Sequence, residues 1–407
     1  MRKLPPRMQD KLYHDLILPD EAVVIRNKIR KFAEKEIAPI SHEIANQDES
    51  IDNFPFEIFQ KIAKEDFFKI PFPKKVGGLG LKYPTCATVV AVEELSYISN
   101  SIGALYDVQA ILFGNALNKY ASDFLKDKYL KPVLTGEKLG CFATTEPEAS
   151  SDLSVNALKT TAIKKGNKYI VSGQKRFITN ACVSDFVIAL VKIDGNMSML
   201  LIELSEGCRV GEPDKKMGNR GQLTSDIYFE NVEVPKENLV GQEGKGLHIA
   251  FGTLTYGRVG VGASGVGMAQ SAFDECVEYM NKREVFGKKI SQYQYWQFLL
   301  AERAIDIENA RNLYSKAALR MDEGVEFPEP ESAGAKFYGT KCAVDMARDA
   351  VQIFGGYGYM KKLADDGSTY KVEEIYRDSK VTEIYEGTNE IQKLIIARTI
   401  FGRDIAI

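Results

Sequence analysis

Histidine is almost missing from this chain of 407 residues: only three occur, His14, His42 and His248, and they are widely scattered. So sparse a set argues against a histidine-rich metal centre and against triad chemistry that needs a histidine base. Cysteine has no pattern. Cys86, Cys141, Cys182, Cys208, Cys276 and Cys342 show no CxxC or CxH spacing, so neither zinc nor a redox dithiol is implied, and they read as small buried hydrophobes of a reducing compartment. No charge of either sign dominates. With 53 basic against 56 acidic residues the net charge is -3, which leaves no basic field for a nucleic-acid partner. Long apolar runs are missing too: none approaches the roughly 20 residues of a membrane span. The start, MRKLPPRMQD, has basic residues with no apolar stretch behind them. The expectation is a cytoplasmic protein with no membrane span, or a mitochondrial-matrix protein stripped of its transit peptide.

What is present is ordinary globular material, 44% hydrophobic and 27% charged, in a chain long enough for about three domains of roughly 150 residues. The hydrophobic period changes twice. In residues 18–138, Ala22, Ile25, Ile29, Phe32, Ile37 and Ile40 recur at helical spacing, and Asp20 is placed to cap their helix. Pro55 opens a further helix through Phe68. The Gly/Pro-rich stretch 71–84 then breaks the pattern, and Pro84, Ile102 and Ala121 begin new helical windows. Residues 139–242 turn to short β-branched runs, with a hairpin signal at Lys165-Gly166-Asn167. These strands follow one another without interleaved helices, which predicts an antiparallel sheet and not a βαβ fold. Residues 243–407 return to helical periodicity, with long windows at 244–283, 291–324 and 331–353 and a charged connector at 324–332. The predicted class is α+β: an N-terminal all-α domain, a middle antiparallel β domain and a C-terminal four-helix bundle.

Gly260-Val261-Gly262-Ala263-Ser264-Gly265 matches GxGxxG, but the motif holds phosphate only between a strand and a helix. These glycines lie inside a helical window and predict close helix packing instead. Three other stretches carry denser chemistry. Phe142–Asp152 (FATTEPEASSD) clusters hydroxyls and amides in a loop leaving a strand, suited to holding a phosphate or a polar ring edge. Lys175–Asn180 (KRFITN) puts Phe177 and Thr179 two residues apart on a strand, hence on one side. Ile384–Glu390 (IYEGTNE) sets a carboxylate between an aromatic and a glycine before an apolar helix. Alone, a Ser-rich turn, a plain strand and a Thr-capped helix start would account for them.

Together, in this order, they resemble the flavin-dependent acyl-CoA dehydrogenase family over nearly the whole chain. The likeness extends to VGGLG at 76–80, Gly257-Arg258, REVFG at 283–287, Tyr293-Gln294 and QIFGGYGY at 352–359. It implies FAD as cofactor and oxidation of an acyl-CoA thioester to the enoyl-CoA, with electrons passed to an electron-transfer flavoprotein. Removing an α-proton calls for a carboxylate with raised pKa in an apolar site and for fixed donors to the enolate oxygen. By resemblance Glu386 is that base, Tyr385 lines the cleft, the Glu386 amide is one oxyanion donor and Gly387 admits the thioester. Some relatives carry the base beside the arginine of the long helix, a position held here by Gly257, which cannot serve. Arg258 would sit near the cleft, unless it is a helix-surface arginine. Phe142, Thr144 and Thr145 would meet the flavin ring edge, Ser151 the pyrophosphate or thioester arm, and Thr179 flavin N5 beside Phe177. Arg283, Phe286, Gln294, Gln352, Gly355 and Gly356 would grip the adenosine diphosphate of a neighbouring subunit's FAD, with Thr388 and Glu390 near the cofactor's other end. The active site then needs an oligomer, expected to be a homotetramer.

The sequence departs from the family pattern at Glu148 and Ser150, where glycines are usual, at Phe177, where tryptophan is, and in a longer connection at 360–375, read as a polar surface insertion. Asp107 falls on the helix that in relatives reaches the acyl pocket floor. There it would disfavour a plain aliphatic chain and meet a polar or cyclic acyl group, even as a second base; a helix-surface aspartate is the alternative. The rivals are a flavin oxidase or monooxygenase of the same fold, and a catalytically idle helical scaffold, against which the intact Tyr385–Thr388 argues.

Overall fold

Apolar residues three and four apart give the first long helix one buried face. In the computed structural model, which describes residues 3–13, 17–402 and 404, helix α1 (Asp20–Phe32) buries Ala22, Ile25, Ile29 and Phe32. His14 lies outside the described residues. Pro19, not Asp20, is the cap; Asp20 begins the helix, where its carboxylate faces the positive end of the helix dipole. Helix α2 (Phe56–Lys64) ends four residues before the expected Phe68 because Asp66 turns left-handed at φ 62°. Helix α3 (Pro84–Ile98) is buried on every side, and α4 (Asn100–Asp107) runs on into a widened, π-helical stretch at Val108–Asn115, a geometry often found beside functional sites.

The sheet comprises β1 (Gly140–Ala143), β2 (Thr161–Lys165), β3 (Lys168–Thr179), β4 (Phe186–Ile193), β5 (Asn196–Glu203), β6 (Cys208–Val210), β7 (Thr224–Pro235) and β8 (Leu239–Val240). Its order is β6-β7-β3-β2-β4-β5-β8, with β1 beside β4. The Gly166 turn, at φ 59°, closes the predicted β2–β3 hairpin. The sheet is mixed, however, and not wholly antiparallel: β1 pairs with β4 in parallel, and β2 meets β4 in parallel at Thr161↔Lys192. The physical reason is the connection: the β2–β3 hairpin lies between β1 and β4 in the chain and serves as the long crossover that a parallel pair requires.

Helices α5 (Gly246–Lys282), α6 (Gln294–Asp322) and α7 (Glu329–Phe354) pack pairwise, and after the short α8 (Lys371–Ser379), α9 (Asn389–Phe401) lies on α7. The GxGxxG glycines are mid-helix. A Cβ on Gly262 would stand 2.7 Å from the Ala335 carbonyl oxygen and one on Gly265 2.5 Å from that of Gly339, so the glycines let α5 and α7 meet backbone to backbone. One hydrophobic core runs through α1, α3, α5, α6 and α7, so the two helical segments share an interior, while the sheet has a core of its own. All six cysteines are free, four of them buried. The 360–375 connection is largely exposed at Lys361–Asp366 and closes on itself where the Leu363 and Ser368 backbones bond.

Candidate active site

The turn from Ile384 to Thr388 presents Glu386 in a conformation that ordinary residues avoid. Glu386 has φ 53° and Gly387 φ 87°; the left-handed conformation is free for the glycine but strained for Glu386, and surrounding contacts must hold it. Thr388 caps α9 by accepting from the Ile391 N–H at 3.4 Å, as the simple helix-start reading had it, and the Gln392 side-chain amide donates to the Gly387 carbonyl at 2.8 Å. The carboxylate fills the notch that Gly257 leaves on α5: a Cβ there would overlap Glu386 Oε2 and stand 2.9 Å from Leu112 Cδ2. Oε2 is buried without a hydrogen-bond partner, and burial raises the Glu386 pKa to about 7.

Asp107 is not on a helix surface; it is 4% exposed. Its carboxylate fills the next notch along α5, at Gly260, and burial followed by the Glu386 charge pushes its pKa far above the usual carboxylate range. Two carboxylates this close cannot both ionise cheaply, and the proton they contest is held more tightly at Asp107 than at Glu386. Arg258 is also buried, at 3% exposure, and two of its guanidinium nitrogens have no hydrogen-bond partner. Burial lowers its pKa against the pull of Glu329 and Glu386. Burial and the Glu386 charge push the Tyr385 phenol up.

A fourth buried charge was not singled out from the sequence. Lys336 on α7 is completely buried, its Nζ donates to Asn389 Oδ1 at 3.0 Å, and burial brings its pKa down to about 7. A single lysine inside the apolar, small-residue stretch SAGAKFYGT was the signal available for it.

The loop leaving β1 is tied down by a second pair missed in the sequence. Lys175, fully buried on β3, reaches Glu146 Oε1 at 2.8 Å and the Thr144 carbonyl at 3.2 Å, and Glu146 accepts from the Lys159 and Thr160 amides at 2.6 and 3.1 Å. Phe142 and Thr144 are buried, Thr145 is half-buried and Ser151 exposed. Ser150 takes φ 51°, the left-handed conformation for which a glycine would be cheaper. Phe177 sits at φ 60° in a bulge between Lys175 and Ile178, so simple strand alternation does not set its direction. Even so Phe177 is 60% exposed and Thr179 half-buried around the buried Ile178.

Helix α4 and its π-helical continuation join these two regions. Gln109 bonds Gly140 N at 3.1 Å and the Lys138 carbonyl at 3.0 Å on the sheet side, while Asp107, Ile111 and Leu112 meet Gly257 and Gly260 on α5. The start of β1 and the Glu386 turn are thereby held against one helical segment. An exposed aromatic on the sheet side and partnerless buried polar atoms on the other suit a planar flavin and an acyl thioester. Arg283, Phe286, Gln294, Gln352, Gly355 and Gly356 are exposed, Phe286 at 99%, and no described contact joins them to Glu386. The guanidinium of Arg283 stands 5.5 Å from the Tyr357 ring, and the Tyr293 hydroxyl donates to the Val285 carbonyl at 2.7 Å, so they form one separate surface. Thr388 is half-buried and Glu390 exposed in the first turn of α9.

Family models match the chain along its length: acyl-CoA dehydrogenase N-terminal domain at residues 19–137, middle domain at 141–232 and C-terminal domain at 244–401. An acyl-CoA dehydrogenase of Bacillus subtilis (strain 168) is 39% identical, the match covering 94% of this chain and 98% of that one. Subunit CarC of the caffeyl-CoA reductase-Etf complex of Acetobacterium woodii is also 39% identical, with 92% and 96% covered. The structure of butyryl-CoA dehydrogenase from Megasphaera elsdenii superposes with a TM-score of 0.88 at 33% identity, covering 95% of this chain and 100% of that one.

Proposed function

From the premise that the chain belongs to the acyl-CoA dehydrogenase family, FAD-dependent oxidoreductases acting on CH–CH bonds, we propose that it converts an acyl-CoA thioester to its α,β-enoyl-CoA with Glu386 as the base. The observation that carries this is the Glu386 carboxylate, set in the Gly257 notch with its pKa raised to about 7. A base poised near neutrality takes the α-proton without remaining protonated beforehand. The Glu386 N–H enters none of the turn's described hydrogen bonds and is free to donate to the thioester oxygen as charge develops there. Asp107, holding its proton, keeps a second negative charge out of the cleft, and Tyr385 and Leu112 help exclude water.

Phe142, Thr144, Thr145, Phe177 and Thr179 would hold the flavin ring, with Ser151 toward the pyrophosphate or the thioester arm. When bound, FAD supplies the hydride acceptor for the β-hydrogen. Arg283, Phe286, Gln294, Gln352, Gly355 and Gly356 would grip a second copy's FAD, with Thr388 and Glu390 near its other end, which makes a homotetramer the working form. An electron-transfer flavoprotein is the acceptor we propose, supported by the relative named for its complex with one. We place the protein in the cytoplasm; no helix among the described residues is long and apolar enough to cross a membrane.

The buried Asp107 favours a second reading of the substrate, a cyclic, aryl or dicarboxylic acyl-CoA in place of a plain aliphatic one. Both are tested by one panel of straight-chain, branched, cyclic, aryl and dicarboxylic acyl-CoAs. The purified protein should be yellow, and its acyl-CoA should bleach the flavin without oxygen and reduce an artificial acceptor faster than oxygen is consumed. A colourless protein with intact circular dichroism sinks the proposal, and faster reaction with oxygen replaces it with the oxidase reading. Glu386→Gln should lose most turnover while keeping FAD.

A further inference from the structure

Lys336 is a buried cation that the proposed chemistry has not yet used. It sits where α7 presses on α5, its amide nitrogen 3.2 Å from where a Cβ on Gly262 would stand, so its backbone is held at a close contact between the two helices. Its Nζ reaches Asn389 Oδ1 at 3.0 Å, and Thr340 Oγ1, one turn along α7, lies 3.1 Å from the same oxygen. Asn389 is the first residue of α9 and stands three residues after Glu386. The charged groups facing the ammonium are Glu386, Glu383, Arg258 and Glu390. Those facing Glu386 are Asp107 from α4, Lys336 from α7 and Arg258 from α5.

We propose that Lys336 is a positioning residue for the base: through Asn389 it pins the strained turn, and its positive charge holds the Glu386 carboxylate ionised over Gly257. A buried ammonium with a single side-chain anchor is costly unless an anion compensates it, and Glu386 is the first opposing charge it meets. Burial draws the pKa values of both groups toward neutrality, so the charge on each bears directly on the other. Removing the cation leaves burial opposed only by the Asp107 proton and by Arg258, so Glu386 protonates at higher pH.

The inference rests on Glu386 being the base, and the test separates the two. FAD-loaded Lys336→Met is compared with wild type, Lys336→Arg and Glu386→Gln. In Lys336→Met the acid limb of kcat/KM should move up by at least about one pH unit, a roughly ten-fold loss at its acid end, with kcat affected more than KM; Lys336→Arg should restore most of it. Difference infrared spectroscopy of the carboxyl region, with Glu386→Gln as blank and no substrate present, should show Glu386 protonating at the same raised pH. Either readout unmoved in folded Lys336→Met overturns the assignment. If that variant does not fold, Asn389→Asp, which sets a carboxylate against the ammonium, must move the limb in the same direction; an unmoved limb there is equally fatal. Full turnover in Glu386→Gln would instead remove the base assignment itself.

Discussion

At the scale of single residues, two missing side chains shape the site. Gly257 and Gly260 lie one helical turn apart on α5, and the carboxylates of Glu386 and Asp107 occupy the notches they leave. Gly257→Ala therefore improves helix propensity yet pushes a methyl group into Glu386 Oε2 and Leu112. We expect turnover to fall by about 100-fold, as for a displacement of the base on the order of 1 Å, while the unfolding temperature stays within a few degrees; unchanged kcat would show that the carboxylate stands elsewhere. A group whose pKa is raised on folding stabilises the fold below its unfolded pKa and ceases to do so as pH rises through the folded value. Asp378 is such a group: buried on α8 and accepting from the Asn219 amide at 2.7 Å, it is raised to about 6 by burial. Its contribution is complete below about pH 4 and lost by the time pH passes about 6. Asp378→Asn keeps an acceptor for Asn219 without a charge to bury, so thermal unfolding followed across that window should show a smaller fall for the variant than for wild type.

At the scale of elements, the loop between β1 and β2 and the packed pair α5–α7 each rest on one tight arrangement. Glu146 gathers Lys175 and two backbone amides, and Lys175 in turn holds the Thr144 carbonyl. Glu146→Ala leaves a lysine buried without its anion, a loss of about 3–5 kcal/mol, and releases the loop proposed to face the flavin. Chemical unfolding and flavin absorbance should fall together, and adding Lys175→Met should recover part of the stability. For α5–α7, Gly262→Ala places a Cβ 2.7 Å from a carbonyl oxygen of the facing helix. The helices must separate, at a cost of about 1–3 kcal/mol. A lowered unfolding midpoint with flavin affinity retained is the expected result, since here GxGxxG packs a helix and holds no phosphate; selective loss of flavin would contradict that.

At the scale of the whole molecule, the exposed set beginning at Arg283 is the surface we propose a second copy covers. Phe286 at 99% exposure, Tyr359 at 77% and Phe401 at 62% are a large apolar area to leave in water. Phe286→Asp should weaken assembly and FAD retention together. Sedimentation measured alongside flavin content checks it, and loss of flavin from an intact oligomer would separate the two roles.

The sequence by itself determined the alternation of periods, hence the α, β, α order, and the segments that carry hydroxyls, glycines and the glutamate, because these depend on local spacing and residue type. It misplaced the Asp20 cap and the end of α2, where a single backbone conformation decides, and it read the sheet as wholly antiparallel because pairing partners are not written in period. What only the tertiary structure decided is which charges are buried together. Asp107, Arg258, Lys336 and Glu386 come from four separate stretches of chain, and each looks like an ordinary surface charge when read alone. Their pKa values are set by desolvation and by one another, and both exist only once α4, α5, α7 and the turn before α9 have closed around the same few ångströms.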